Sequence, residues 1–128
     1  MKLMIDTHIW VYYVAGMNDQ LSQASVKALK KANILCVSAI SCWEVALLVK
    51  RGRLGIDNVS QWIYDALQFP RIHLLNLTPE ILIRSVFLNK HHPDPADRMI
   101  VATCDLESLP LVTADKKIRS WQGLETIW

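Results

Sequence analysis

The chain has 128 residues, of which 52% are hydrophobic and 20% charged, and this composition excludes a disordered protein and a protein of two domains. We predict a single domain over residues 1–128. No apolar run approaches the ~20 residues that span a bilayer, which excludes a membrane protein and favours the cytoplasm. The formal net charge of +2 by itself gives only weak support for a nucleic-acid partner.

The first half of the chain predicts two strands and four helices. The apolar run at residues 2–5 has no polar alternation, which is typical of a central parallel strand buried on both faces. A similar run at 34–37 predicts a second strand. Helices are expected over residues 9–14, 21–31, 40–50 and 59–67, and the candidate N-caps of the first, third and fourth are Asp6 or Thr7, Ser38 and Asp57.

The second half predicts three strands and two long helices. Strands are expected over residues 72–77, 109–113 and 124–127, the last at the edge of the sheet. Thr78 followed by Pro79 begins a helix to about residue 89, and Asp94 followed by Pro95 begins another to about residue 107. Residues 115–121 predict a turn or a short helix. Strands that alternate with helices predict a parallel sheet covered by helices on both faces.

Four acidic residues lie at strand ends or on apolar helix faces, where a carboxylate needs a cation or a hydrogen-bond donor. Asp6 and Asp115 each follow a predicted strand, and the carboxyl ends of parallel strands are where open sheets bind ligands. Glu44 and Asp97 both have apolar neighbours three and four residues away on their helices, so their side chains point along buried stripes. The helix that carries Asp97 ends just before the fourth strand, which places Asp97 at the same edge of the sheet.

Each of these acids also has an ordinary explanation. Glu44 can lie at the margin of its stripe and pair with a basic residue at the end of the helix. Asp97 can occupy the third position of a helix that Asp94 caps, and Asp115 can cap a short helix. An unpaired carboxylate in a core is costly, however, and four acids directed to one edge favour a functional site.

Four neighbouring carboxylates cannot all be ionised without a cation, because like charges raise one another's pKa. Oxygen ligands without cysteine or histidine at ligand spacing select a hard ion, Mg²⁺ or Mn²⁺, over zinc. Such an ion activates a water as nucleophile and stabilises charge on a phosphate. If the four acids bind metal, 8 acidic residues remain against 14 basic ones, a balance of +6 that tolerates a polyanion.

Four segments in this order resemble a known family: MIDTH at residues 4–8, VSAISCWEVA at 37–46, HPDPADR at 92–98 and VTAD at 112–115. They resemble the PIN domain, and within it the VapC-type toxins of prokaryotic toxin–antitoxin pairs. The resemblance implies a metal-dependent endoribonuclease on a three-layer α/β/α sandwich, commonly dimeric and held inactive by a cognate antitoxin. It also implies an acidic quartet at Asp6, Glu44, Asp97 and Asp115. Ala96 departs from relatives that often carry an aromatic residue.

Four further residues are candidates for contacts with the RNA or with the acids. Thr7 and Thr113 can orient waters or carboxylates through their hydroxyls, although capping explains Thr7 equally well. Arg98 can hold a phosphate or pair with a neighbouring acid. Lys50 can follow an RNA backbone, but a cation at a helix end is also ordinary.

The histidines at 91 and 92 and the aromatic residues of the first helix are not expected to take part in catalysis. For His91 and His92 we favour a solvated loop over a role as ligands. The first helix carries Trp10, Tyr12 and Tyr13, which cannot all face inward, so we expect this helix to form part of a protein interface.

Two other functions stay open from the sequence. A housekeeping PIN nuclease in RNA maturation would use the same four acids, and a small antitoxin gene immediately upstream would separate it from a toxin. A non-catalytic binding module is the other alternative, which the complete acidic quartet argues against.

Overall fold

In the computed structural model, which describes residues 1–89 and 92–128, five strands form one sheet. They are β1 (Lys2–Ile5), β2 (Ile34–Ser38), β3 (Ile72–Leu75), β4 (Leu111–Val112) and β5 (Thr126–Ile127). The strand order is β3-β2-β1-β4-β5, and each of the four pairings is parallel. The predicted parallel sheet, with β1 central and the fifth strand at an edge, is confirmed.

The predicted helices are present, with small changes at their ends. They are α1 (Thr7–Ala15), α2 (Gln23–Lys31), α3 (Ala39–Lys50), α4 (Val59–Leu67), α5 (Pro79–Phe87), α6 (Pro95–Glu107) and α7 (Lys116–Arg119). A short 3-10 turn at Asn18–Gln20 was not predicted. The cap predicted at Asp57 is wrong, because the Asn58 side chain accepts from the Gln61 amide instead. Within residues 1–89 and 92–128, no helix is both long and apolar enough to cross a bilayer.

Helices cover both faces of the sheet because side chains alternate along each strand. Leu3 and Ile5 of β1 are fully buried in one core cluster, which also contains buried residues of α1, α2, α3 and α4. Met4 points to the other face, where it packs with Ile100 of α6 and Ile118 of α7. α5 lies against α6. The three-layer α/β/α sandwich is confirmed.

The aromatic side chains of α1 pack into the protein. Trp10 is fully buried and meets Trp62 of α4 edge to face, with ring centroids 5.4 Å apart. Tyr12 and Tyr13 are partly buried against the same cluster. The interface predicted on α1 stays a prediction, and large exposed apolar side chains lie on α5: Ile83, Val86 and Phe87.

The core packing predicts that two substitutions of Ile100 lower the free energy of unfolding by very different amounts. Ile100 is fully buried between α6 and the sheet. Ile100→Ala should lower the free energy of unfolding by about 2–5 kcal/mol, because it leaves a cavity, and Ile100→Val by about 0.5–1.5 kcal/mol. Urea denaturation measures both values. Equal losses in the two variants would contradict the packing described.

Candidate functional site

The carboxyl ends of β1 and β4 form the base of the site. Ile5 pairs with Val112, and the Asp6 amide donates to the Val112 carbonyl at 3.2 Å, which brings Asp6 beside Thr113. One carboxylate oxygen of Asp6 accepts from the Ile9 amide at 2.9 Å and caps α1, and the other accepts from the Thr113 hydroxyl. Asp6 is thus held at both oxygens, and Thr113 orients it as the sequence suggested.

Glu44 reaches the same edge from α3. Its Oε1 lies 2.5 Å from the Thr7 hydroxyl, which is also 2.8 Å from the Ser41 hydroxyl. Asp6 caps α1, and Thr7 is the first residue of that helix. The Thr7 hydroxyl is therefore not needed as the cap and is available to Glu44. Among the described residues no ion pair to Glu44 is found, so the predicted alternative of a basic partner is not observed.

Asp97 lies in the first turn of α6. The helix cap is Asp94, whose Oδ1 accepts from the Ala96 amide at 2.9 Å and the Asp97 amide at 3.4 Å. The Asp97 side chain is therefore not needed as the cap and is 18% exposed. Oxygen atoms of Glu44, Asp94 and Asp97 lie within 4.8 Å of one another, close enough to share one cation. The sequence interpretation treated Asp94 as a cap only and missed this proximity.

Asp115 begins α7 at the end of β4. Its Oδ1 accepts from the Lys117 amide at 2.8 Å and the Ile118 amide at 3.1 Å, so Asp115 is the cap of α7. A carboxylate oxygen of Asp115 belongs to a second group of possible ligand atoms within 4.8 Å, together with Asp97 and His92. Asp115 Oδ2 lies 4.0 Å from His92 Nε2. Cap and ligand roles are compatible here, because a carboxylate has two oxygens.

A cleft of about 380 Å³ opens over these acids. Asp6, Glu44, Asp97 and Asp115 all line it, so the structure brings the four predicted acids together. The other lining residues include Thr7, Asp94 and two ring-bearing side chains of α1, His8 and Tyr12. The cleft is thus strongly acidic at its floor.

Burial and nearby like charges raise the pKa values of Asp6, Glu44 and Asp97. Burial is the largest cause for Asp6 and for Glu44, and hydrogen bonds from Thr113 and Thr7 oppose it. Burial, followed by the charges of Asp94, Glu44, Asp115 and Asp6, raises the pKa of Asp97 to about 8. Protons or a cation must therefore balance the charge at neutral pH.

Two predicted substrate-binding residues lie elsewhere. The Arg98 guanidinium donates to backbone carbonyls at the end of α5, those of Ser85 at 2.8 Å, Val86 at 3.2 Å and Leu88 at 3.0 Å. These bonds tie α5 to α6, so the structure gives Arg98 a structural role where we predicted a phosphate or an acidic partner. Lys50 is the exposed last residue of α3, about 9 Å along the helix from Glu44.

The solvated loop predicted for His92 is wrong. His92 is only 7% exposed, and its ring stacks on Trp121 with centroids 6.3 Å apart. No local sequence signal indicates this burial, since a polar segment next to a proline is typical of an exposed loop. His91 lies outside the described residues.

Similarity to known proteins agrees with this geometry. Residues 3–123 match the PIN domain family. The chain belongs to the PIN-domain family. Ribonuclease VapC22 of Mycobacterium tuberculosis is 32% identical to this PIN-domain chain over 130 aligned positions, which cover 98% of each protein.

Solved structures share the fold of this PIN domain at low sequence identity. A chain of VapBC2 from Rickettsia felis, bound to a DNA fragment of its promoter, matches with a TM-score of 0.70 at 19% identity, covering 98% of this chain and 97% of that one. A chain of a toxin–antitoxin complex from Klebsiella pneumoniae matches with a TM-score of 0.65 at 23% identity, covering 95% and 94%. These likenesses bear on the fold alone.

The raised pKa of Asp97 predicts how stability depends on pH without metal. The folded-state pKa of about 8 exceeds the ordinary 3.8, so folding favours the protonated acid. This contribution is complete below about pH 4 and is lost as the pH rises through 8. In chelator, the free energy of unfolding of the wild type should therefore fall between pH 5 and 8.5.

Asp97→Asn is the matched variant, because an amide does not titrate. At pH 8 in chelator it should be more stable than the wild type by about 1 kcal/mol or more, with a shallower pH dependence. Urea denaturation across the pH range measures both. Identical pH slopes in the two proteins would show that Asp97 ionises freely.

Proposed function

We propose that this protein is a metal-dependent endoribonuclease, the toxin of a type II toxin–antitoxin pair, acting in the cytoplasm. The observation that carries the proposal is the convergence of Asp6, Glu44, Asp97 and Asp115 on one cleft in a PIN-domain chain. The similarity to a protein named as a ribonuclease supports the reaction. The similarity to chains from toxin–antitoxin complexes supports an antitoxin as partner.

The donor set of the cleft fits a hard divalent cation. Carboxylate oxygens of Glu44, Asp94 and Asp97 lie within 4.8 Å of one another, and Asp97 also belongs to the second group, with Asp115 and His92. Oxygen ligands favour Mg²⁺ or Mn²⁺. When bound, such an ion supplies a water of lowered pKa as nucleophile and stabilises the charge that builds on the phosphate.

The groups around the acids hold the carboxylates in fixed orientations. Thr113 and the Ile9 amide hold the Asp6 carboxylate in one orientation, and Thr7 holds Glu44. Asp97 stands at the amino end of α6, where unsatisfied amides favour negative charge. A bound cation would lower the raised pKa values of these acids, so ionised ligands and metal stabilise each other.

The exposed face of α5 is the best candidate for contact with a second copy of the chain. Ile83, Val86 and Phe87 are 61%, 68% and 78% exposed, and their spacing of three and four residues puts them on one side of the helix. A contiguous apolar face of this kind is typical of a protein interface. We therefore propose a homodimer in which α5 contributes to the contact.

Cleavage of structured RNA by the purified protein tests the nuclease. We expect cutting with Mg²⁺ or Mn²⁺, none with chelator, and a loss of about 100-fold or more in Asp97→Asn, because the shared ligand is removed. Asp105→Asn is the matched control on α6, since Asp105 is half exposed and pairs with Arg84 at 2.6 Å. Undiminished cutting by Asp97→Asn would exclude the mechanism, and absence of cutting with every metal would favour a binding module.

The oligomeric state tests the α5 contact. Light scattering should give twice 14.6 kDa for the wild type and 14.6 kDa for Ile83→Glu, because the charge would be buried in an apolar contact. Tyr64→Glu on α4 is the control, since Tyr64 is 63% exposed on another helix. A dimer that survives Ile83→Glu would place the contact elsewhere.

A further inference from the structure

His92 is a buried histidine whose ring is fixed in one orientation. It precedes α6 in the chain and is 7% exposed. Its ring lies nearly parallel to that of Trp121, at an interplanar angle of 18°. Its backbone carbonyl accepts from the Arg98 guanidinium at 3.4 Å. The ring is therefore held both by stacking and by its own segment of the backbone.

The hydrogen bond at Nδ1 determines which ring nitrogen carries the proton. The Asp94 amide donates to His92 Nδ1 at 3.2 Å. A ring nitrogen that accepts a hydrogen bond has no proton, so the proton of the neutral imidazole is on Nε2. His92 therefore presents an N–H donor on the side away from Asp94.

That donor lies next to two acids of the cleft. His92 Nε2 lies 3.4 Å from Asp97 Oδ2 and 4.0 Å from Asp115 Oδ2. It is buried, and it makes no hydrogen bond within the part of the chain that the structure describes. A buried N–H without an acceptor is unfavourable, and a small rotation or shift of the Asp97 carboxylate would bring its oxygen into hydrogen-bond geometry with this N–H.

The same geometry disfavours His92 as a metal ligand. Coordination through Nε2 needs the lone pair of that nitrogen, which would put the proton on Nδ1. Nδ1–H would then point at the Asp94 N–H, so two donors would face each other. The imidazole can act as a donor to a ligand without such a conflict.

We propose that His92 is a positioning residue of the metal centre, whose Nε2–H donates to the Asp97 carboxylate and holds it beside Asp115 in the orientation that binds a divalent cation. The inference rests on the proposed function, because it requires a cation at Asp97. Donation to one oxygen of Asp97 leaves the other oxygen to the metal. Partners that orient metal ligands in this way typically change metal affinity by 10- to 100-fold when they are removed.

Two variants separate the donor from the packing of the ring. His92→Phe keeps a flat ring against Trp121 and removes the N–H, whereas His92→Gln loses the ring but places an amide N–H near the position of Nε2. Calorimetric titration with Mg²⁺ at constant pH should show a dissociation constant raised about 10- to 100-fold in His92→Phe. His92→Gln should stay within about threefold of the wild type, because the donor is restored. The unfolding midpoint of each metal-free variant shows that both are folded.

Four other outcomes would contradict the proposal. Wild-type Mg²⁺ affinity in His92→Phe would show that His92 only packs against Trp121. Equal weakening in both variants would show that the imidazole itself is required. Nitrogen hyperfine coupling to bound Mn²⁺, assigned to the His92 ring by its loss in His92→Phe, would show direct ligation, and nitrogen NMR placing the ring proton on Nδ1 would remove the donor.

The same titration of Asp97→Asn separates this inference from the proposed function. Loss of Mg²⁺ binding in Asp97→Asn together with unchanged binding in His92→Phe would overturn only the role of His92. Unchanged binding in Asp97→Asn would overturn the metal centre and, with it, the proposal.

Discussion

Repulsion among the carboxylates at one edge of the sheet is the constraint on which the arrangement of this protein depends. Asp97 has Asp94, Glu44, Asp115 and Asp6 as charged neighbours, and it is itself mostly buried. Such a cluster is stable only if protons or a cation balance the charge. The hydroxyls of Thr7 and Thr113, each bonded to an acid, partly offset the loss of hydration. The cation of the proposed nuclease would supply this balance when the acids are ionised.

The topology of the sheet explains why the acids meet there. The chain runs outward from β1 to β2 and β3 on one side and returns through β4 and β5 on the other, so the direction changes between β1 and β4. Open parallel sheets bind ligands in the crevice at such a switch point. Asp6 follows β1 and Asp115 lies beyond β4, so these two acids stand on either side of the crevice.

Helix capping and ligand positioning use the same side chains in this protein. Asp6 caps α1 with one oxygen, and Asp115 caps α7 in the same way. The second oxygen of Asp6 accepts from the Thr113 hydroxyl, and the second oxygen of Asp115 lies 4.0 Å from His92 Nε2. The choice between cap and ligand, which the sequence left open, is therefore not a choice between exclusive roles. Capping also fixes the orientation of the carboxylate, which benefits a metal site.

Local sequence patterns were sufficient to predict the succession of strands and helices along the chain, the helices on both faces of the sheet and the four acids. These features depend on local patterns: apolar runs such as residues 2–5, helix starts such as Asp94-Pro95, and acids next to apolar stripes. Because parallel strands place their carboxyl ends at one edge, such local patterns were enough to predict that Asp6 and Asp115 lie at the same edge, whereas the pairing of β1 with β4 makes them neighbours.

The surroundings of those acids depend on contacts that become visible only in the folded chain. The burial of His92 comes from Trp121 and from the Asp94 amide, and the role of Arg98 comes from the carbonyls that end α5. Likewise, α1 is covered because α4 packs on Trp10. The contacts of Trp121 with His92 and of Trp62 with Trp10 join segments that are distant in the chain, and no periodicity or cap motif indicates which segments will meet. A polar residue in a loop therefore looks solvated in the sequence until the fold brings a partner to it.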